Sequence, residues 1–127
     1  MDGILKQIRK RHPELDDLPI VFVSTPDFRG ALQDGYAAAV ESIVSELPQS
    51  GATLLDQVTI LVSSAFTPGD VQEIKEIVSA FGLKPIVIPD LSTSIDGHLD
   101  DSYSGITSGG TSREQLCQAG QSIFTLA

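Results

Sequence analysis

The sequence predicts an α/β protein: a three-layer, Rossmann-like domain with a four-stranded parallel sheet flanked by helices. Continuous apolar runs at residues 20–23, 58–62, 85–89 and 123–126 are typical of strands buried on both faces of a parallel sheet. Segments with helical periodicity separate these runs. Such alternation implies parallel strands joined by right-handed crossovers, with helices on both faces of the sheet.

Length and composition exclude several classes of protein. A chain of 127 residues is one domain, and its net charge of −9 argues against nucleic-acid binding. No apolar run reaches the roughly 20 residues that span a bilayer, and the N-terminus has no apolar core of a signal peptide. The single cysteine excludes an internal disulfide and fits a reducing compartment. We therefore expect a cytoplasmic protein without membrane contact.

The first 18 residues form a lead-in segment ahead of the domain, which we place at residues 19–127. Residues 2–13 have a thin apolar stripe at Ile4, Leu5 and Ile8, which predicts a short helix that ends at Pro13. The basic side chains of residues 6–11 fit a solvated face of that helix better than a phosphate site. The predicted helix is only weakly amphipathic, which suggests that it packs on another part of a larger protein. We therefore expect this chain to be a piece of a longer one.

The first strand and the loop after it organise the rest of the chain. Ile20–Val23 is the predicted strand, Ser24-Thr25-Pro26-Asp27 ends it, and a helix follows with an apolar face at Leu32, Tyr36, Val40, Ile43 and Leu47. In open α/β folds ligands gather at the carboxyl ends of strands, so Ser24 to Phe28 is the first place to expect a site. Asp27 could alternatively do no more than cap the helix.

The second half of the chain repeats the strand–helix pattern. Thr67-Pro68-Gly69-Asp70 is a helix start with a cap, a proline in the first turn and a favourable charge, and Gly82 ends that helix. Residues 91–110 are polar and without periodicity, as functional or partner-facing loops often are. Thr111-Ser-Arg-Glu114 then predicts a capping box for a third domain helix, before the last strand at Ile123–Leu126.

Four further groups of residues could have chemical roles, and each has a simpler explanation. The carboxylates and His98 in residues 96–101 could hold a metal, but their spacing matches no zinc or EF-hand pattern and fits a solvated loop. Ser108-Gly109-Gly110-Thr111 could bind an anion or phosphate ester, although many plain loops have this composition. Cys117 is best explained as a small buried hydrophobe, and His12 as a solvated side chain.

Three enzyme or signalling classes are disfavoured by missing residues. A dinucleotide site would need G-x-G-x-x-G or a Walker glycine–lysine pair, and neither occurs. A phosphoacceptor domain could use Asp90 at a strand end, but it needs an acidic pair where this chain has Ser24-Thr25. A phosphate-ester enzyme built on the Gly109-Gly110 turn would need a basic or nucleophilic partner that the sequence does not show.

Several motifs in combination resemble a known family. They are R-x-x-H-P at 9–13, V-F-V-S-T-P-D-F-R-G-A-L-Q-D-G-Y at 21–36, F-G-L-K-P-I-V-I-P-D-L-S at 81–92, S-I-D-G-H-L at 94–99 and S-G-G-T at 108–111. Over nearly the whole chain they resemble the nitrogenase component 1 family, and within it the β-type chains of NifEN-type scaffolds. A divergent nitrogenase molybdenum–iron protein β-subunit domain, an oxidoreductase, is the alternative within the same family.

The resemblance implies a cytoplasmic scaffold on which the iron–molybdenum cofactor precursor is matured, with no catalytic residue in this domain. The chain would be one of three Rossmann-like domains of a longer subunit, paired with a NifE-like α-type subunit in a heterotetramer. Transient partners would be the nitrogenase iron protein and cofactor-delivery proteins. The iron–sulfur cluster and the cofactor precursor would belong to the intact complex, and the family's cluster-binding cysteines are not among these residues.

The resemblance also implies one site. In the nitrogenase β subunit a serine that lies against the interfacial cluster stands where this chain has Asp27. A hard carboxylate is a less natural ligand for iron–sulfur iron than a thiolate, so direct ligation is not the expected role. We therefore expect Asp27 to form a wall of the cluster pocket, with Ser24, Thr25 and Phe28 in the same loop, and we expect no resident metal site.

Overall fold

A computed structural model of the chain describes residues 2–92 and 109–127. In chain order the elements are helix α1 (Asp2–Arg11), helix α2 (Leu32–Glu46), strand β1 (Leu54–Leu61), helix α3 (Pro68–Ala80), strand β2 (Lys84–Ile88), helix α4 (Arg113–Gln118) and strand β3 (Ser122–Leu126). Short 3₁₀ turns cover Pro13–Leu15 and Ala119–Gln121. None of the helices in the described ranges has the length and apolar character needed to cross a bilayer.

The sheet is parallel, and its strand order is β2-β1-β3. Its register pairs Ile60 of β1 with Val87 on one side and with Leu126 on the other. The prediction of an α/β domain with a parallel sheet is confirmed, but the described residues contain three strands where four were expected. The missing strand is Ile20–Val23, where no strand forms. Both edges of β1 are already occupied, so this apolar run has no place beside the central strand.

Helices cover both faces of the sheet, as the sequence pattern predicts. On one face the buried residues of β1 and β2 pack against α3, in a cluster of Val58, Ile60, Val62, Val71 and Val87. On the other face Ile86, Ile88 and Ala119 are buried, with side chains of α2 and α4 packed against them. Because successive strand residues point to opposite faces, the continuous apolar runs of β1 and β2 supply both cores.

Two buried polar residues fasten α4 to the central strand. The Thr59 hydroxyl is 3.2 Å from the carbonyl oxygen of Ala119 and 2.8 Å from the Ser122 hydroxyl. The Gln57 side-chain amide donates to the Gln118 carbonyl and to the Ser122 hydroxyl. Buried polar groups cost free energy unless they find partners, so these bonds fix where β3 begins beside β1.

The start of α3 matches its prediction. Asp70 donates its backbone N–H to the Thr67 hydroxyl, and the Asp70 carboxylate accepts the Thr67 N–H at 2.8 Å. The hydrogen bonds that the Asp70 carboxylate accepts from the Thr67 N–H and the Thr67 hydroxyl hold the pKa of this exposed carboxyl below its ordinary value. Two of the free N–H groups of the helix start therefore have partners.

The other two domain helices differ from the prediction, α4 in its capping residues and α2 in the packing of its apolar face. The capping box of α4 is Ser112 with Gln115, one residue later than predicted, because the hydroxyl of Thr111 has bonds elsewhere. The predicted apolar face of α2 is only partly packed: Leu32 is 82% exposed, whereas Tyr36 and Val40 are half-buried.

Gly82 ends α3 in the left-handed region, with φ of 75°. Replacing it by Ala should lower the free energy of unfolding by about 1–2 kcal/mol, because a Cβ disfavours this conformation. No atom lies within 4 Å of the added Cβ, so backbone strain is the whole effect. Urea denaturation of Gly82→Ala measures it, and Gly69→Ala in the first turn of α3 is the control. An equal loss from both substitutions would contradict this explanation.

Candidate functional site

The loop from Ser24 to Phe28 lies on the surface just before α2. Ser24, Thr25 and Asp27 are exposed, and Phe28 is fully exposed. Phe28 has a φ of 59°, which is uncommon for a non-glycine residue, and it lies in a turn that reverses the chain toward α2. The loop therefore presents an aromatic side chain and three oxygen-bearing side chains to the outside.

Asp27 does not cap the following helix. Helix α2 begins at Leu32, and the residue before it, Ala31, donates its backbone N–H to the Asp34 carboxylate at 2.6 Å. A Cβ on Gly30 would lie 2.6 Å from the same carboxylate, and φ at Gly30 is 73°. The turn thus needs glycine there, and the alternative of a mere capping role for Asp27 is wrong. The role of Asp27 at a cluster pocket stays a prediction.

A cavity of about 640 Å³ lies between α2 and the carboxyl end of β1. Its apolar wall includes Ala37, Val40 and Leu61, and the rim includes the carboxylates Asp34 and Glu41. The Tyr36 hydroxyl donates to the Val62 carbonyl oxygen at 3.0 Å, and burial raises the pKa of Tyr36. With carboxylates and no cationic side chain in its lining, the cavity suits an apolar group better than an anion.

A polar cluster at the carboxyl end of β2 brings together residues that are far apart in sequence. The Lys75 ammonium lies 2.8 Å from Asp90 Oδ2 and 3.2 Å from Ser92 Oγ. Asp90 Oδ1 accepts hydrogen bonds from the backbone N–H and the hydroxyl of Ser92. Burial by itself raises the pKa of Asp90, but the hydrogen bonds from Lys75 and Ser92 outweigh it and hold the pKa below its ordinary value.

Thr111 completes this cluster from the other side. Its hydroxyl accepts the Asp90 backbone N–H at 2.9 Å and donates to the Val87 carbonyl oxygen at 2.7 Å. Gly109 and Gly110 precede it with φ of 93° and 83°. The glycine-rich motif thus has a structural role: it brings the chain back to the end of β2. Lys75, the cation in this cluster, is already paired with Asp90.

The remaining sequence candidates are dispersed. Cys117 is half-buried in α4 rather than fully buried, and its carbonyl oxygen accepts the Gln49 N–H. His12 is exposed, as expected, and lies 2.9 Å from Glu14. The carboxylates and the histidine of residues 96–101 lie outside the described residues. Within residues 2–92 and 109–127 no group of three His, Cys, Asp or Glu side chains is placed to hold a metal ion.

Sequence reasoning missed the pairing of Lys75 with Asp90 and the bridging hydroxyl of Thr111. A weak signal existed for Asp90, because an aspartate just past an apolar strand lies where parallel sheets collect polar groups. Nothing in the spacing of Lys75 along α3 points to that aspartate. The structure does not bring the Ser24–Phe28 loop and the Lys75–Asp90 cluster together into one site.

The fold is that of an α/β domain with a parallel sheet. The profile of the family described as nitrogenase component 1 type oxidoreductase matches residues 1–127, so the chain belongs to that family. The resemblance carried by the motifs is thereby confirmed.

Within the family the chain is similar to proteins named "Nitrogenase iron-molybdenum cofactor biosynthesis protein NifN". It is 64% identical to the one from Nostoc sp. strain PCC 7120 over 127 residues, which cover all of this chain and 29% of that protein. It is 54% identical to the one from Rippkaea orientalis over 136 aligned residues, which cover all of this chain and 30% of the relative. The Rhodobacter capsulatus protein is 45% identical over 98% of this chain and 28% of its own length. The chain thus spans less than a third of these relatives.

Proposed function

We propose that this chain is a domain of a scaffold protein on which the nitrogenase iron–molybdenum cofactor precursor is assembled and matured. The supporting observation is its similarity, at 64% identity over the whole chain, to a protein named for that biosynthesis. The names of these relatives favour assembly over the alternative of a divergent nitrogenase β-subunit domain. The cofactor precursor is the cargo of such a scaffold, and this domain contributes shape and contacts rather than catalysis.

The Ser24–Phe28 loop is the part of the domain that we assign to the cluster pocket. Iron–sulfur clusters are usually held by cysteine thiolates, and this loop offers hydroxyl groups and a carboxylate instead. The chain's cysteine, Cys117, lies in α4 rather than in the loop. The residues present therefore fit a polar wall beside the cluster, with the thiolate ligands supplied by other parts of the assembly.

Phe28 is the residue that we expect to meet the partner chain. Phe28 lies at a turn with positive φ, and its aromatic side chain is fully exposed, so it contributes no apolar burial to the stability of the isolated domain. Buried aromatic anchors contribute strongly to protein–protein interfaces. We assign Phe28 to the contact with a NifE-like α-type subunit in a cytoplasmic heterotetramer, which the iron protein and cofactor-delivery proteins would approach transiently.

Asp27→Ala in the complete complex tests the site. Removing a carboxylate that lies beside the cluster should change the cluster's electron paramagnetic resonance spectrum while its iron content stays the same. Asp56→Ala, which removes an exposed carboxylate on β1, is the control and should leave the spectrum unchanged. An unchanged spectrum for Asp27→Ala would overturn the site assignment.

The scaffold proposal itself has a separate test. The protein is purified anaerobically, iron and acid-labile sulfide are counted, and co-eluting chains are identified by mass spectrometry. Stoichiometric iron–sulfur with a NifE-like partner supports the scaffold. A protein without metal and without a partner would overturn it.

A further inference from the structure

The segment Ile20–Val23 has the composition of a buried strand but no strand partner. Its four successive residues are apolar, and three of them are β-branched, a pattern typical of a strand buried on both faces. In the structure these residues form no strand, and Phe22 is 44% exposed. Within the described residues, none of the backbone groups of 20–25 takes part in a backbone–backbone hydrogen bond. The backbone donors and acceptors of this segment are therefore free to pair with another strand, and its apolar side chains suit a contact that it does not make here.

Helix α1, which precedes this segment, is also separate from the two cores. The two clusters of core residues and the side chains packed against them contain no residue before Ile43. The apolar stripe of α1 remains open at Ile4, which is 65% exposed. Among the described residues, one hydrogen bond ties the intervening linker to the domain, from the Arg113 guanidinium to the carbonyl oxygen of Asp17 at 2.9 Å. A single exposed hydrogen bond contributes little to holding two units together.

We infer that α1 and Ile20–Val23 are a helix–strand pair that adds to the edge of a second parallel β-sheet, outside the 127 residues of this chain. A strand with apolar residues on both of its sides must join the edge of a sheet that helices cover on both faces. The amphipathic α1 would provide part of that cover, because helices connect neighbouring strands of parallel sheets. The partner is therefore an open edge of an α/β sheet with apolar side chains on both faces.

The relatives have enough chain to supply such a sheet. This chain covers 29% of the Nostoc protein and 30% of the Rippkaea protein, so most of each relative is additional polypeptide. In this arrangement the boundary between two folding units lies in the turn between Ser24 and Ala31, rather than at residue 19. The candidate loop Ser24–Phe28 would then connect two domains, a position at which ligand sites are common.

The outer edges of β2 and β3, the two edge strands of the described sheet, are the other possible acceptors within the described structure. The edge of β3 is the more apolar of the exposed surfaces. Its side chains Ile123, Phe124 and Leu126 are 45–47% exposed, and it pairs with β1 on one side. Ile20–Val23 belongs to the same chain as this edge and yet does not pair with it. A second copy of the chain could also supply an edge, and the experiment below distinguishes these acceptors.

Hydrogen exchange followed by mass spectrometry tests the proposal on two proteins: this chain and the full-length Nostoc relative. In this chain the amides of residues 20–25 should exchange at nearly unprotected rates, while those of β1 are protected. In the relative, the matching amides should exchange at least about a hundredfold more slowly, as for a strand within a stable sheet. The β1 amides are the internal control and should be protected in both proteins.

Three results would overturn the inference. Fast exchange in both proteins would make the segment an ordinary loop. Protection in this chain that rises with protein concentration would assign the strand to a second copy. Protection independent of concentration would assign it to an edge of the chain's own sheet, at β2 or β3.

A substitution provides an independent measurement. Phe22→Asp should leave the urea midpoint of this chain unchanged, and the matching substitution in the full-length relative should abolish the protection there. Val58→Asp, at a position with 0% exposure in the core, is the control that should unfold this chain. A large destabilisation of this chain by Phe22→Asp would show that the segment belongs to its own core, contrary to the inference.

Discussion

Replacing Ile88 by Ala is expected to lower the free energy of unfolding by about 3 kcal/mol, within the usual range for a fully buried Ile. Ile88 is 1% exposed and belongs to the core beneath α2 and α4. Its carbonyl oxygen also accepts the Val62 N–H, so the backbone around it is held in place and cannot easily collapse into the space left behind. Urea denaturation followed by circular dichroism measures the loss.

Ile77→Ala is the matched control, because it deletes the same atoms from α3 at a position that is 51% exposed. We expect a change of no more than about 0.5 kcal/mol there. Similar losses for the two variants would show that the sheet face under α2 and α4 is not a packed core.

Asp90→Asn is expected to cost about 1–2 kcal/mol at neutral pH, because it removes the charge from a partly buried, hydrogen-bonded ion pair. The Asp90 and Lys75 side chains are 15% and 29% exposed, so solvent screens them less than a surface pair. Asn keeps the shape and one acceptor for the Ser92 N–H. The effect is therefore the loss of the charge together with the loss of the acceptor that faces the Lys75 ammonium. Asp56→Asn is the control, since its pair with Lys84 is exposed and should contribute nothing measurable.

The cost of Asp90→Asn should depend on pH. The folded-state pKa of Asp90 lies below its ordinary value of 3.8, so the unfolded chain binds more protons between the two pKa values. The stabilisation is complete above roughly pH 5 and disappears as the pH falls through the folded pKa. Urea midpoints of the wild type and the variant should therefore converge below about pH 4. A constant difference down to pH 2 would contradict the role of the Asp90 charge.

Local signals in the sequence predicted the local features of the fold. The start of α3 follows from Thr67 and Asp70, three residues apart, and its end follows from Gly82. The runs that became β1 and β2 were found because strands buried on both faces are apolar throughout. The apolar run of β3 also forms a strand, but at the edge of the sheet with its side chains exposed, so the expectation of burial on both faces is wrong for it. The run Ile20–Val23 has the same local pattern and forms no strand, since pairing depends on which sheet edges are free and not on the run itself.

The candidate functional residues also fall into those that the sequence predicts and those that only the tertiary structure shows. The Ser24–Phe28 loop could be found from the sequence because its residues are contiguous and belong to a distinctive motif. The cluster around Asp90 could not, because Lys75 and Thr111 reach Asp90 only through the arrangement of α3, β2 and the chain before α4. The distance and direction between these elements decide such contacts, and both are set by the tertiary structure.

Ser92 and Thr111 both bond to Asp90, so the two ends of segment 93–108 are held at one point of the fold. The entropy of closing a chain between two fixed points grows only with the logarithm of its length, by about 0.6 kcal/mol for each doubling. Insertions and deletions between these anchors should therefore alter the stability of the sheet very little. The length of chain between Ser92 and Thr111 can therefore change during evolution while the strands keep their register.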